Sequence, residues 1–116
     1  MTPEDRERME SIYHLVEPAA WEANPSADYV VASLGSEGFI HCAFRHQVAP
    51  AANRFYADAT ALQVVQLDPD RLASPLRVES ASSDKYPHVY GPIQRSAVVG
   101  VRALTRDDHG RWVFPG

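Results

Sequence analysis

Apolar positions along this chain fall mostly into short runs that alternate with polar ones, the period of half-buried strands. Ser11 to Val16 is the first such run, with Ile12, His14 and Val16 on one face and Tyr13 and Leu15 on the other. Glu17 to Ala23 reads as a short helix, with Pro18 in its first turn and Trp21 as its apolar anchor. Asn24-Pro25-Ser26-Ala27 breaks it, and Asp28 to Ala32 gives a short strand. The rest of the chain is organised around the next stretch, Ala32 to Cys42. It reads as a polar loop bracketed by Gly35 and Gly38, both free to take positive φ, running into a strand over Phe39 to Phe44. Ile40, Cys42 and Phe44 form an apolar face that predicts core, so Phe39, His41 and Ala43 face the other way.

The period changes after Arg45. Val48, Ala52, Phe55 and Tyr56 recur at helical spacing within Arg45 to Ala59, and Pro50 is expected to kink that helix or mark its start. Strand patterns return over Leu62 to Leu67, Leu76 to Glu79 and Ala97 to Leu104. Ser80 to Lys85 reads as a polar, mobile loop, Tyr86 to Pro92 as an extended segment and Ile93 to Ser96 as a turn of helix. A tight turn at Asp107 to Gly110 lets Arg111 to Phe114 pair back as a hairpin. Strands dominate and are not separated by regular helices. The expected class is therefore α+β, a mostly antiparallel sheet packed on the helix over Val48 to Ala57. Residues 1–10 are expected to form a polar lead-in and 11–116 a single domain.

Composition narrows the function classes. A chain of 116 residues suits one domain, and 45% hydrophobic residues suit a packed core. The net charge of -4 argues against a broad nucleic-acid surface but leaves room for a small basic pocket. One cysteine, Cys42, excludes an intrachain disulfide and points to a cytoplasmic setting. No apolar run approaches the ~20 residues that span a bilayer. The N-terminal segment carries both signs of charge and no signal-peptide core.

Of five histidines, His46 and His109 lie in polar surroundings, whereas His14, His41 and His88 lie on or beside strands. If those strands are neighbours, three imidazoles meet at one cleft, where they can act as bases or hydrogen-bond partners. The alternative is that each is a half-buried histidine bonded to a nearby carbonyl. The candidate metal ligands are dispersed and Cys42 points away from His41, so no metal is expected. Ser33 and Ser36 lie in the loop without a nucleophile elbow, and no Walker loop or dinucleotide fingerprint is present. A different nucleotide site remains open, built from loop N–H groups near Gly38, an arginine and stacked aromatics. Arg54, beside Phe55 on the long helix, is placed to reach a phosphate, or else simply covers the helix. Glu79 can polarise a hydroxyl or stabilise a cationic transition state, or else is a solvated strand end. Tyr86, His88 and Tyr90 alternate onto one face as a stacking wall, or else as an edge packed on the sheet.

Ile12-Tyr13-His14-Leu15, Ala32-Ser33-Leu34, Gly38-Phe39-Ile40-His41-Cys42, Asn53-Arg54-Phe55-Tyr56 and Pro87-His88-Val89-Tyr90-Gly91-Pro92 resemble, in this order, the domain-of-unknown-function family 952. That family is similar in fold to the ADP-ribosyltransferase superfamily, whose members bind NAD in a cleft between two small sheets. The resemblance implies a split-sheet domain with His14, Ser33 and His41 lining the cleft and NAD as the cofactor. The Gly-Phe-Ile-His run also looks like a motif of RNA 2′-phosphotransferases, which work without a metal. By that analogy His14 and His41 hold the ribose or phosphates, and Glu79 stands for the superfamily's catalytic glutamate. The paired arginines of those enzymes have no match here beyond Arg54. The expected function is NAD binding with displacement of nicotinamide, catalysed by His41, His14 and Glu79, with Ser33, Gly38, Phe39, Arg54, His88 and Tyr90 binding ligand. The alternatives are a non-catalytic module for a small anionic ligand or nucleotide, and a structural or interaction domain.

Overall fold

The computed structural model describes residues 11–23, 28–81 and 84–114, with only the backbone described at Ala32 and Ser33. The lead-in expected over residues 1–10 and the break at 24–27 lie outside them. The fold is α+β, with mostly antiparallel sheets and few helices. One sheet has the order β1 (Ile12–Val16), β3 (Gln63–Leu67), β6 (Val98–Ala103). A second has the order β2 (Ile40–His41), β5 (Asp84–Val89), β4 (Leu76–Ala81). All pairings within them are antiparallel. β7 (Thr105–Arg106) and β8 (Trp112–Val113) form the expected C-terminal hairpin. Among the described residues a single bridge joins the two main sheets, with Tyr13 N–H donating to Ala43 O at 2.9 Å and Ala43 N–H to Tyr13 O at 2.7 Å.

β1 is buried on both faces, which divides the core. Tyr13 and Leu15 pack with Val64, Trp112 and the Val48, Ala51 and Ala52 face of helix α3 (Val48–Phe55). Ile12 and Val16 pack with Val65, Leu67, Ile40, Cys42 and Val89 on the other side. Each fully buried aliphatic side chain contributes about 1.5–3 kcal/mol. Ile40 and Cys42 thus take the core face expected of them.

Local readings differ from the structure at several points, the first being that the strand expected over Phe39 to Phe44 reduces to Ile40–His41 and an isolated bridge at Ala43. The Gly-bracketed loop is a short helix, α2 (Ala32–Glu37), following α1 (Pro18–Glu22). Gly35 lies within α2. Gly38 alone turns left-handed (φ 87°), and its N–H closes the helix on Leu34 O rather than lying open to a ligand. The strand expected over Asp28 to Ala32 reduces to one bridge between Tyr29 and Ile93, because Ala32 already begins α2. The helix around Pro50 starts at Val48, after a 3₁₀ turn over Arg45–Gln47. Pro50 sits in the first turn, where its missing N–H has no partner to lose, so no kink is needed. Finally, Ser80 pairs with Lys85 and Ala81 with Asp84, so the supposed loop is mostly strand, with Ser82 and Ser83 outside the described residues. Glu79 is therefore inside β4 rather than at its end, and β5 is a central strand rather than an edge.

Asn53 ties α3 to the C-terminal hairpin. Its Nδ2 donates to Trp112 O at 2.9 Å and to Ala49 O at 3.0 Å, and its Oδ1 accepts Trp112 N–H at 2.7 Å. Asn53→Ala is expected to strand the Trp112 backbone groups and cost about 2–3 kcal/mol, read as a shift in urea midpoint without a change in slope. A midpoint matching wild type would show that the hairpin is held by Trp112 packing alone.

Candidate functional site

A cavity of about 530 Å³ lies where β1, the end of β2, α3 and the β4–β5 hairpin meet. Its wall is largely aromatic and aliphatic: Tyr13, Phe55, Tyr56 and Tyr86, with Leu15, Val31, Ala51 and Ala81. His14, His41 and Cys42 complete it. The volume suits a small organic ligand or part of a dinucleotide. Arg45 stands beside Tyr13, its Nη2 donating to the Tyr13 hydroxyl at 3.2 Å.

His14 projects from the Ile12 and Val16 side of β1 and is buried. Its Nδ1 lies 2.7 Å from His41 O, which only accepts, so the ring proton is on Nδ1. Nε2 then accepts the Tyr29 hydroxyl at 3.2 Å. Burial lowers the His14 pKa to about 4, the His41 carbonyl partly opposing it, so the ring is neutral at pH 7. Burial likewise pushes the Tyr29 hydroxyl up and the Cys42 thiol up to about 12, which keeps both protonated. Both His14 nitrogens are thus committed within the fold.

His41 faces away from that core. The left-handed turn at Gly38 brings the end of α2 beside β2, and Glu37 Oε2 lies 2.7 Å from His41 Nε2. In the β2–β5 ladder His41 stands directly opposite His88, and their rings meet edge to face with centroids 5.4 Å apart. Phe39 stacks on His88 at 4.1 Å and 20°, and lies 4.8 Å from His41 and 5.3 Å from Tyr90. On β4, Arg77 stands opposite His88 and Glu79 opposite Tyr86. Glu79 Oε1 accepts from the Tyr90 hydroxyl and, at 3.0 Å, from His88 Nδ1. These two bonds, Tyr90's first, hold the Glu79 carboxyl below the usual carboxylate range, and the same contact pushes the Tyr90 hydroxyl up.

The structure therefore brings Phe39, His41, Glu79, His88 and Tyr90 onto one face of the second sheet. His14 is tied to this group through the His41 carbonyl. Gly38 serves as the turn. Arg54 is exposed on α3, its guanidinium 5.1 Å from the Phe55 ring. The side chain of Ser33 lies outside the described residues. Tyr13, Tyr29, Glu37, Arg45 and Tyr56 belong to the site or its support and carried no local signal in the sequence, except that Glu37 precedes His41 by four. Among the described residues no group of three or more His, Cys, Asp and Glu side chains is placed to hold a metal. Nor is any helix long and apolar enough to cross a membrane.

No curated protein matches the chain. The fold is similar to that of CC0527 from Caulobacter crescentus. Its crystal structure aligns with a TM-score of 0.78 at 24% identity, covering 89% of this chain and 93% of that one. Its solution structure aligns at 0.72 and 25%, covering 87% and 90%. The sequence profile of the family described as protein of unknown function (DUF952) matches residues 15–101, most of the chain, and the chain belongs to that family.

Proposed function

We propose that this domain binds NAD, or a closely related nucleotide, in the cavity and displaces nicotinamide from it. The observation that carries this reading is a cavity of about 530 Å³ with aromatic walls, bordered by a face that holds a carboxylate ionised. A nicotinamide ring bound as NAD is flat and cationic, and Tyr13, Phe55 and Tyr86 offer faces for such a ring. Breaking its bond to ribose leaves positive charge on the sugar, which the Glu79 carboxylate is suited to stabilise. In this reading His41 hydrogen-bonds the ribose, and Phe39, His88 and Tyr90 form the wall beside it. Gly38 positions that wall, and Arg45 and Arg54 are the cations for the phosphates. Ser33 belongs to the same binding set by its resemblance to the family pattern. His14 is a positioning residue, since its hydrogen bonds fix the His41 backbone. The choice of NAD comes from the sequence resemblance set out above, and the reaction is argued from the site.

The test is release of free nicotinamide from NAD by the whole protein, alongside thermal melting with NAD. Saturable release that falls about tenfold in His41→Ala is expected, since leaving a ribose hydroxyl without its partner costs about 1–3 kcal/mol and about 1.4 kcal/mol is tenfold. A melting shift with no release supports the second reading, a nucleotide-binding module. That reading is favoured by the internal commitment of both His14 nitrogens. Absence of both release and a melting shift would reject NAD.

A further inference from the structure

Three tyrosines line the cavity, and their hydroxyls differ in what they already hold. The Tyr13 hydroxyl accepts from Arg45 Nη2 at 3.2 Å. Those of Tyr56, just past the end of α3, and Tyr86, on β5, hydrogen-bond to no other group among the described residues. The imidazoles of the wall are more committed: both His14 nitrogens are held inside the fold, and His41 Nε2 lies against Glu37. Both tyrosines are half-buried and stand on firm backbone. Tyr56 donates its N–H to Ala52 O at 2.9 Å, and its carbonyl accepts Trp112 Nε1–H at 2.8 Å. Tyr86 pairs with Glu79 in the β4–β5 hairpin. Gln47 Nε2 pins the start of β5, donating to Asp84 Oδ2 at 3.0 Å and to Lys85 O at 2.7 Å. Burial, and then the Glu17 carboxylate, pushes the Tyr56 hydroxyl up, so it stays a donor. Two placed hydroxyls without protein partners, in a largely apolar wall, are what fixes the orientation of a flat ligand.

Charge decides which part of a nucleotide such a wall suits. Among the described residues no Asp, Glu, Lys or Arg side chain lines the cavity. A pyrophosphate drawn into it would give up its water without meeting an opposite charge, whereas a base with its sugar would not. Arg45 and Arg54 are both exposed and stand outside the wall. Phosphates beside them remain in water, where an ion pair adds little. We propose that the cavity takes the nicotinamide riboside end of its ligand alone and leaves the phosphates outside, with Tyr56 and Tyr86 as the hydrogen-bonding specificity residues. The proposal rests on the reading of the cavity as an NAD site, and it narrows the required ligand from a dinucleotide to a nucleoside. Of the two nucleoside ends of NAD, aromatic faces favour the one with the cationic ring. Its carboxamide and ribose oxygens supply acceptors for both hydroxyls.

The experiment titrates the whole protein calorimetrically with carbocyclic nicotinamide riboside and carbocyclic NAD, which cannot release their base, and with ADP-ribose as competitor. The riboside is expected to bind within about tenfold of the dinucleotide, since exposed ion pairs to two arginines add about that much together. ADP-ribose is expected not to displace it. Tyr56→Phe and Tyr86→Phe keep the rings and remove only the hydroxyls. Each should weaken riboside binding about three- to tenfold. The melting temperature of the unliganded variants should stay within about 3 °C of wild type. Unchanged affinity in both variants, or a larger melting loss, would overturn the role given to the hydroxyls. A riboside more than tenfold weaker than the dinucleotide, or one displaced by ADP-ribose, would overturn the proposal and leave NAD binding standing. Riboside binding without dinucleotide binding would support the assignment of the cavity and reject NAD as its ligand. No binding of either would overturn both readings.

Discussion

Acidification from pH 7 to about pH 4.5 is expected to weaken the native state by roughly 2–3 kcal/mol, with His14 as the main source. The folded ring has its pKa lowered to about 4, against 6.5 for an unperturbed histidine. Between these values the unfolded chain binds a proton that the folded chain refuses. Stability therefore falls as pH falls through that window, at up to about 1.4 kcal/mol per unit. The cause is structural. Protonating His14 would put a second N–H on Nε2, against a Tyr29 hydroxyl that now donates to it, inside a core closed by Ile12, Val16 and Cys42. Glu79 acts in the same direction but lower, because its depressed carboxyl loses its contribution only as pH falls below the ordinary carboxylate range. Urea unfolding at several pH values should show the first loss near pH 6, before carboxylates titrate. His14→Gln keeps polar atoms for the His41 carbonyl and cannot ionise, so it should flatten that first slope while lowering stability at pH 7. An unchanged slope in His14→Gln would remove His14 as its origin.

Much of this architecture can be read from residue patterns, because β1, β3 and β6 are ladder strands whose alternate residues meet different surroundings. Tyr13 and Leu15 go one way and Ile12 and Val16 the other, as a period of two requires. Ala32–Glu37 resists such reading. Its one large apolar residue, Leu34, gives no helical period, no side chain caps it, and a glycine sits inside it. It is helical because Leu34 packs on the second core and Gly38 closes the turn, both tertiary facts. Missing the helix also hides the pairing of Glu37 with His41, which depends on where its last turn ends. Glu79 is hidden for a related reason. Polar Ser80 looks like the start of a loop, yet its partner Lys85 across the hairpin extends the strand and brings Glu79 level with Tyr86. Proximity of His41 to His88 is a matter of strand register between distant segments, which neither segment announces alone.

Gly91→Ala is expected to cost about 2–5 kcal/mol, the larger of the two stability losses. Gly91 has φ 152°, and a Cβ there would lie 2.4 Å from Ser74 Oγ and 2.9 Å from Ser74 Cβ. The backbone strain accounts for about 1–2 kcal/mol and the forced overlap for about 1–3. Ser74 has little room to yield, because its hydroxyl donates to Pro92 O at 2.7 Å while Tyr90 N–H donates to Pro75 O at 2.7 Å. Those two bonds clamp the end of β5 to the segment before β4, and the clamp sets the angle from which the Tyr90 hydroxyl reaches Glu79. Crowding at Gly91 should therefore weaken the site as well as the fold, loosening Tyr90 from Glu79 and, through it, the His88 tautomer. Gly100→Ala is the matched control, since Gly100 lies on the edge strand β6 with nothing within 4 Å of an added Cβ. That substitution should stay within about 1 kcal/mol of wild type or raise stability slightly. Thermal melting of the two variants separates the effects: a drop of about 10 °C or more is expected at Gly91, and equal melting temperatures would mean that the Ser74 clamp opens without cost.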